Sequence, residues 1–95
     1  MSDWTFLTNH AHVLLLLSRD PDLRMRDISE QVGITERAVH RIVHELLESG
    51  YLEVEKQGRR NHYRVKANLP MRHPVERGAR VADLILLLPA TSIAK

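Results

Sequence analysis

The stretch Ile28-Ser-Glu-Gln-Val-Gly-Ile-Thr-Glu-Arg-Ala-Val-His-Arg-Ile-Val43 decides how this chain folds. Two apolar patterns with helical period meet at Gly33, a residue type that takes the left-handed conformation at little cost and so ends a helix. Upstream, Ile28 and Val32 form an i, i+4 apolar pair, and Arg26-Asp27 opens a short helix predicted over 26–32. Downstream, Thr35 suits an N-cap, and Ile34 with Val39 makes a hydrophobic staple. Val39, Ile42, Val43, Leu46 and Leu47 then keep the spacing of one buried face, which predicts a second helix over 35–49, stopped by Ser49-Gly50. Small Ser29 lets the two helices come close. The pair therefore reads as two helices crossing steeply over a tight turn.

Working outward, residues 9–19 predict a preceding helix, capped by Thr8 or Asn9 and ended by Asp20-Pro21-Asp22. Its run Val13–Leu17 covers more than one face, so burial on several sides is expected. Leu23 to Met25 is expected to form a very short strand. After Gly50, Leu52-Glu-Val-Glu and His62-Tyr-Arg-Val-Lys66 alternate strictly and predict a hairpin with Gln57–Asn61 at its tip. Pairing Val54 with Val65 sets Glu55 opposite Arg64 and Glu53 opposite Lys66, which favours that register on charge. Asn68-Leu69-Pro70 reads as a linker. A last helix is predicted from Pro74 to about Leu88, followed by a loose tail over Ala90–Lys95. On it, Val75, Ala79, Ala82, Ile85 and Leu86 fall on one stripe, with Val81, Leu84 and Leu88 beside it, an apolar band too wide to leave in water.

A chain of 95 residues with 43% apolar and 27% charged residues predicts one globular domain. With no cysteine it holds no disulfide, thiolate nucleophile or cysteine-based zinc site, consistent with a reducing compartment. The apolar runs Val13–Leu17 and Leu84–Leu88 are far short of the ~20 residues that span a bilayer. Asp3 follows Met1 where a signal peptide would be basic, so no signal peptide and a cytoplasmic location are expected. Net charge is only +2, but Lys56–Lys66 holds five basic residues, one histidine and no acid. Such local asymmetry bears on polyanion contact more than the total does.

The quoted stretch resembles the helix-turn-helix of bacterial and archaeal winged regulators, close to the MarR-like group. Leu46-Leu47-Glu48-Ser49-Gly50-Tyr51-Leu52 is similar to that group's junction between recognition helix and wing, and Gly58-Arg59-Arg60-Asn61-His62-Tyr63 to its wing tip. The resemblance covers roughly residues 9–66. It departs at Ser29, where alanine is commoner, and in lacking the longer flanking helices that form effector pockets. It implies an α+β winged helix-turn-helix: a three-helix core, a two-stranded β-hairpin wing and a C-terminal helix. Residues 1–69 would be the DNA-binding domain and 70–95 a dimerisation helix and tail. The implied protein is a transcription regulator, not an enzyme, working as a homodimer on palindromic double-stranded DNA without cofactor or membrane.

On such a protein the face of the third helix opposite its core carries Arg37, Arg41, His44 and Glu48, with His40 on the flank. Its N-terminal half meets base edges, which selects Thr35, Glu36, Arg37, His40, Arg41 and His44. Arginine bonds both guanine acceptors at once, so Arg37 and Arg41 are the candidates for base reading. Thr35 and the N–H groups around it suit a phosphate. At the hairpin tip, with Glu53 and Glu55 neutralised by Lys66 and Arg64, the residues Lys56, Arg59, Arg60, Asn61 and His62 would meet the backbone or minor groove. Arg24 and Arg26 could touch the flanking backbone. The competing reading makes the same face ordinary solvated surface, with Arg41–Glu45 and His44–Glu48 as i, i+4 pairs. Two other functions compete: a winged protein-interaction module, and a metal- or ligand-responsive regulator. For the metal, His40 and His44 have chelating spacing and His10 and His12 are close, but no cysteine or carboxylate cluster completes a site. No HExxH, phosphate loop or nucleophile elbow is present.

Overall fold

Five consecutive apolar residues, Val13–Leu17, can all be buried only if a helix has neighbours on several sides, and the first helix has them. The computed structural model describes residues 3–89. In it α1 (Asn9–Arg19) is capped by the Thr8 hydroxyl oxygen, which accepts from Ala11 N at 3.2 Å. It packs against α2 (Met25–Val32), α3 (Glu36–Glu48) and the second strand, and Val13 to Leu17 are all buried.

The turn between α2 and α3 forms as its sequence requires. Gly33 takes φ 86°, and its N–H donates to Ser29 O at 2.8 Å. Ser29 does more than allow close approach: its hydroxyl donates to Ile34 O at 2.6 Å, occupying a carbonyl that the turn would leave without a partner. Alanine at that position could not do this. Thr35 caps α3, its oxygen accepting from Ala38 N at 3.0 Å. Ile28, Val39, Ile42, Val43 and Leu46 join α1 in one core. Each such side chain contributes about 1.5–3 kcal/mol on full burial, against about 0–1 for an exposed ion pair. The core, not the surface charges, therefore sets which side of α3 faces out.

Leu23–Met25 is not a strand. Met25 already begins α2, whose first turn is closed by Asp27 Oδ2 accepting from Arg24 N at 3.2 Å. The chain before it is joined to the hairpin by one backbone bond, Tyr63 N to Pro21 O at 2.9 Å. The hairpin consists of β1 (Leu52–Gln57) and β2 (Arg60–Val65), antiparallel. Its register differs by two residues from the one that charge matching favours: Leu52 faces Val65, Glu53 faces Arg64, Val54 faces Tyr63 and Glu55 faces His62. A shift of two keeps every side chain on its face, so the pleat cannot separate the two registers. The turn decides. Gln57 pairs with Arg60 across a two-residue loop whose Gly58 has φ 63°, the positive value that tight hairpins need at their first central position. Exposed charge pairing, at about 0.2–1 kcal/mol, cannot outweigh it.

The long C-terminal helix is absent from the described residues. Pro74–Glu76 forms a single 3-10 turn, closed by His73 Nδ1 accepting from Val75 N and Glu76 Oε1 accepting from His73 N. Arg77 is extended and Gly78 has φ 93°, which breaks any helix there. The expected linker is instead a turn pinned to the start of the last helix: Pro70 bridges Arg80, Val81 N donates to Leu69 O, and Ala82 N to Ala67 O. Only then does α4 (Val81–Leu86) begin, with Asp83 Oδ2 accepting from Arg80 N at 2.8 Å. The predicted stripe is accordingly split. Val81 is buried and Ile85 packs on the chain's own core, whereas Val75, Leu86 and Leu87 are exposed. The expected tail over 90–95 lies outside the described residues.

Candidate nucleic-acid interface

Val39, Ile42, Val43 and Leu46 hold one side of α3 in the core, which leaves Glu36, Arg37, His40, Arg41, His44 and Glu48 exposed on the other. Thr35 sits at the start of this face; its oxygen serves the cap, while its hydroxyl hydrogen remains able to donate. Glu36 lies 4.0 Å from Arg26 Nε, so Arg26 of α2 joins the rim of the face.

Ion pairs run along α3. Arg41 Nη1 lies 3.5 Å from Glu45 Oε2, and His44 Nε2 3.3 Å from Glu48 Oε2, both between neighbours one turn apart. The other oxygen of Glu45 is 2.6 Å from His10 Nε2 on α1. The His10 hydrogen bond and the Arg41 charge together hold the Glu45 carboxyl below the ordinary glutamate value. Among the described residues, Arg37 has no ion-pair partner. Arg41, His44 and Glu48 are largely solvated, so their pairs orient arginine and histidine without committing them, whereas His10 and Glu45 are half-buried.

The wing is differently built. Glu53 gathers both basic neighbours, with Arg64 Nη2 at 2.8 Å and Lys66 Nζ at 3.3 Å, and its carboxyl is held below the ordinary value mainly by the Arg64 hydrogen bond, then by that of Lys66. Glu55 is thus not the partner of Arg64 but faces His62. His62 Nδ1 lies 2.8 Å from Asp22 Oδ1, and Arg60 donates to the backbone oxygen of Asp22 at 2.8 Å. At sequence level Lys56, Arg59, Arg60 and His62 look uncompensated; His62 instead meets the Asp22 carboxylate, while Arg60 finds, among the described residues, only a backbone carbonyl and no opposite charge, and both tie the hairpin to the loop before α2. Asn61 stays exposed, its amide donating to the Tyr63 hydroxyl at 3.3 Å. Lys56 and Arg59 are the tip cations whose side chains have neither an ion-pair nor a hydrogen-bond partner among the described residues. Arg24, Arg59 and Arg60 line one cleft between the start of α2 and the wing.

The histidines serve different neighbours. His12 Nδ1 meets Asn9 Oδ1 at 3.2 Å, while His10 goes to Glu45 and His44 to Glu48. Among the described residues no group of three or more possible ligands is close enough to hold a metal ion. No described helix is long and apolar enough to cross a membrane.

Two contacts escaped the sequence. Asp22 stands out only as a helix-ending residue, and Glu45 only as the i+4 neighbour of Arg41. Their decisive partners, His62 and His10, are 40 and 35 positions away, and nothing local signals either pair.

A helix-turn-helix whose second helix turns an arginine- and histidine-bearing face outward, flanked by an antiparallel hairpin, defines a winged helix-turn-helix domain. The chain belongs to the MarR family, whose profile matches residues 5–60. A solved structure of the PcaV transcriptional regulator from Streptomyces coelicolor, in complex with its natural ligand, is 27% identical, with TM-score 0.54 over 63% of this chain and 45% of that one. A second structure of the same regulator is also 27% identical, with TM-score 0.53 over 62% of this chain and 46% of that one. The zinc-dependent MarR family transcriptional regulator AdcR, in its Zn(II)-bound state, shares the fold at 22% identity, with TM-score 0.58 over 90% of this chain and 55% of that one. The chain thus spans about half the length of the solved regulators it matches. A comparison with curated protein sequences gave no match.

Proposed function

We propose that this protein is a DNA-binding transcription regulator that lays α3 in the major groove of duplex DNA and sets its wing tip on the adjoining backbone or minor groove. One observation carries the reading: Arg37, His40 and Arg41 are exposed on the side of α3 whose reverse is locked in the core. Arg41 and Arg37 read guanine edges, and Thr35 with the α3 N-terminus takes a phosphate. Lys56 and Arg59 supply the wing's charge, with Arg60 and His62 holding it in place. Membership of the MarR family, and likeness to proteins described as transcriptional regulators, support this assignment.

The regulator acts in the cytoplasm as a homodimer on a palindromic site. Residues 1–69 form the DNA-reading unit. The segment from 70 onward closes the core through Val81 and offers Leu86 and Leu87, 79% and 64% exposed, to a second copy. Two-fold symmetry then spaces two copies of α3 by one DNA turn. Sedimentation at micromolar concentration is expected to give twice the 11.0 kDa chain mass; a single chain-mass species contradicts the dimer.

Duplex binding measured against salt tests the function. Log affinity is expected to fall linearly with log salt, by about 0.9 per phosphate contacted. No affinity for duplex even in low salt would turn the assignment toward a protein-interaction module.

A further inference from the structure

The outer face of α3 is not a row of free cations, because Glu45 holds two of its neighbours at once. One carboxylate oxygen lies 2.6 Å from His10 Nε2 and the other 3.5 Å from Arg41 Nη1. A glutamate one turn from an exposed arginine is ordinarily a mobile partner, worth a factor of about two. This one is anchored from another element, since His10 belongs to the first turn of α1. An anchored carboxylate loses less freedom on taking the arginine, and it draws the guanidinium along the helix rather than outward.

We propose that Glu45, fixed by His10, is a positioning residue for Arg41 that governs how readily this side chain leaves α3 for a base. The inference rests on the reading of α3 as the DNA-contacting helix. Neutral His10, with its hydrogen on Nε2, donates to a carboxylate that keeps its charge for Arg41. The cavity beside His10 is also faced by Glu48 of α3, by Tyr51, and by Arg72 and Glu76 from the segment before α4. Of these, Glu48 is engaged by His44, Glu76 by the His73 N–H, and the Tyr51 hydroxyl by Pro70 O, which leaves Glu45 as the acid bonded to His10. The His10 hydrogen bond and the Arg41 charge hold the Glu45 carboxyl below the ordinary glutamate value, so it stays ionised at neutral pH.

The probe is a duplex of ~20 base pairs carrying the tightest sequence recovered from a random pool. Glu45→Gln is expected to raise affinity about two- to threefold. In an Arg41→Ala background the same change should do no more than Glu48→Gln, which removes an equal charge from the same face. Without DNA, the Glu45 carboxyl carbon followed by NMR should titrate nearer the ordinary glutamate value in His10→Ala. A gain from Glu45→Gln that still exceeds that of Glu48→Gln when Arg41 is absent, or an unmoved Glu45 titration, would each overturn the proposal. A parent protein that binds no duplex overturns the DNA reading itself and this role with it, a result distinct from binding that the variants leave unchanged.

Discussion

The two charged projections, the outer face of α3 and the wing, hold their charges in opposite ways. On α3 Arg41 meets Glu45 and His44 meets Glu48 on the same helix, with Glu45 steadied by His10 of α1, and Arg37 has no ion-pair partner among the described residues. On the wing Arg60 and His62 reach across to Asp22, while Lys56 and Arg59 stand clear. Local pairs between solvated groups are weak and easily exchanged for a base or phosphate. Cross-element bonds instead fix an angle, here that of the hairpin against the start of α2. The helix is thus built to give up its contacts on binding, and the wing to keep its own.

Breaking the platform should have the largest effect. Ile42→Ala, on the buried reverse of α3, is expected to cost about 2–5 kcal/mol of stability in urea unfolding, because a cavity opens where α3 meets α1. If stability held, the core would not be what orients the face. Next comes Arg41→Ala, which should cost about 1–3 kcal/mol on the selected site and relax base preference at one position. Lys56→Ala and Arg59→Ala should weaken binding alike on all sequences, each lowering the salt slope by about 1. An equal response from helix and wing variants would erase the distinction between them. Asp22→Ala removes a partly exposed pair and should cost about 1 kcal/mol or less in unfolding, while Arg60 keeps its backbone acceptor. The smallest effect is the Glu53 clamp. Its folded pKa lies below the ordinary value, so its contribution is complete above the ordinary carboxylate range and is lost as pH falls through the folded value. Glu53→Gln should remove that part of the acid dependence of unfolding and leave the neutral-pH salt slope unchanged.

The same division separates what the sequence reveals from what it hides. The helix-turn-helix was legible because its signals are local: Gly33 for the turn, Thr35 for the cap, and apolar spacing for the buried side of α3. The i, i+4 pairs on its surface were legible for the same reason. The hairpin was legible as a hairpin, but its register was not read from charge, because Gly58 and the burial of Leu52 and Tyr63 outweigh exposed acids and bases. The C-terminal segment misled most. Val75, Ala79, Ala82 and Ile85 match a helical period, yet Gly78 and the Pro70–Arg80 bridge interrupt it, and a period drawn across a break predicts a stripe that does not exist. The roles of Asp22 and His10 come from pairs formed only when distant elements meet, and no window of sequence contains them.

Methylation interference on the selected duplex tests the central claim most directly, because guanine N7 lies on the major-groove edge that an arginine on α3 would occupy. Methylating a guanine in each half-site should abolish binding by the unmodified protein, and Arg41→Ala should lose sensitivity at one of those guanines. Binding indifferent to N7 methylation throughout the site would contradict the placement of α3 in the major groove.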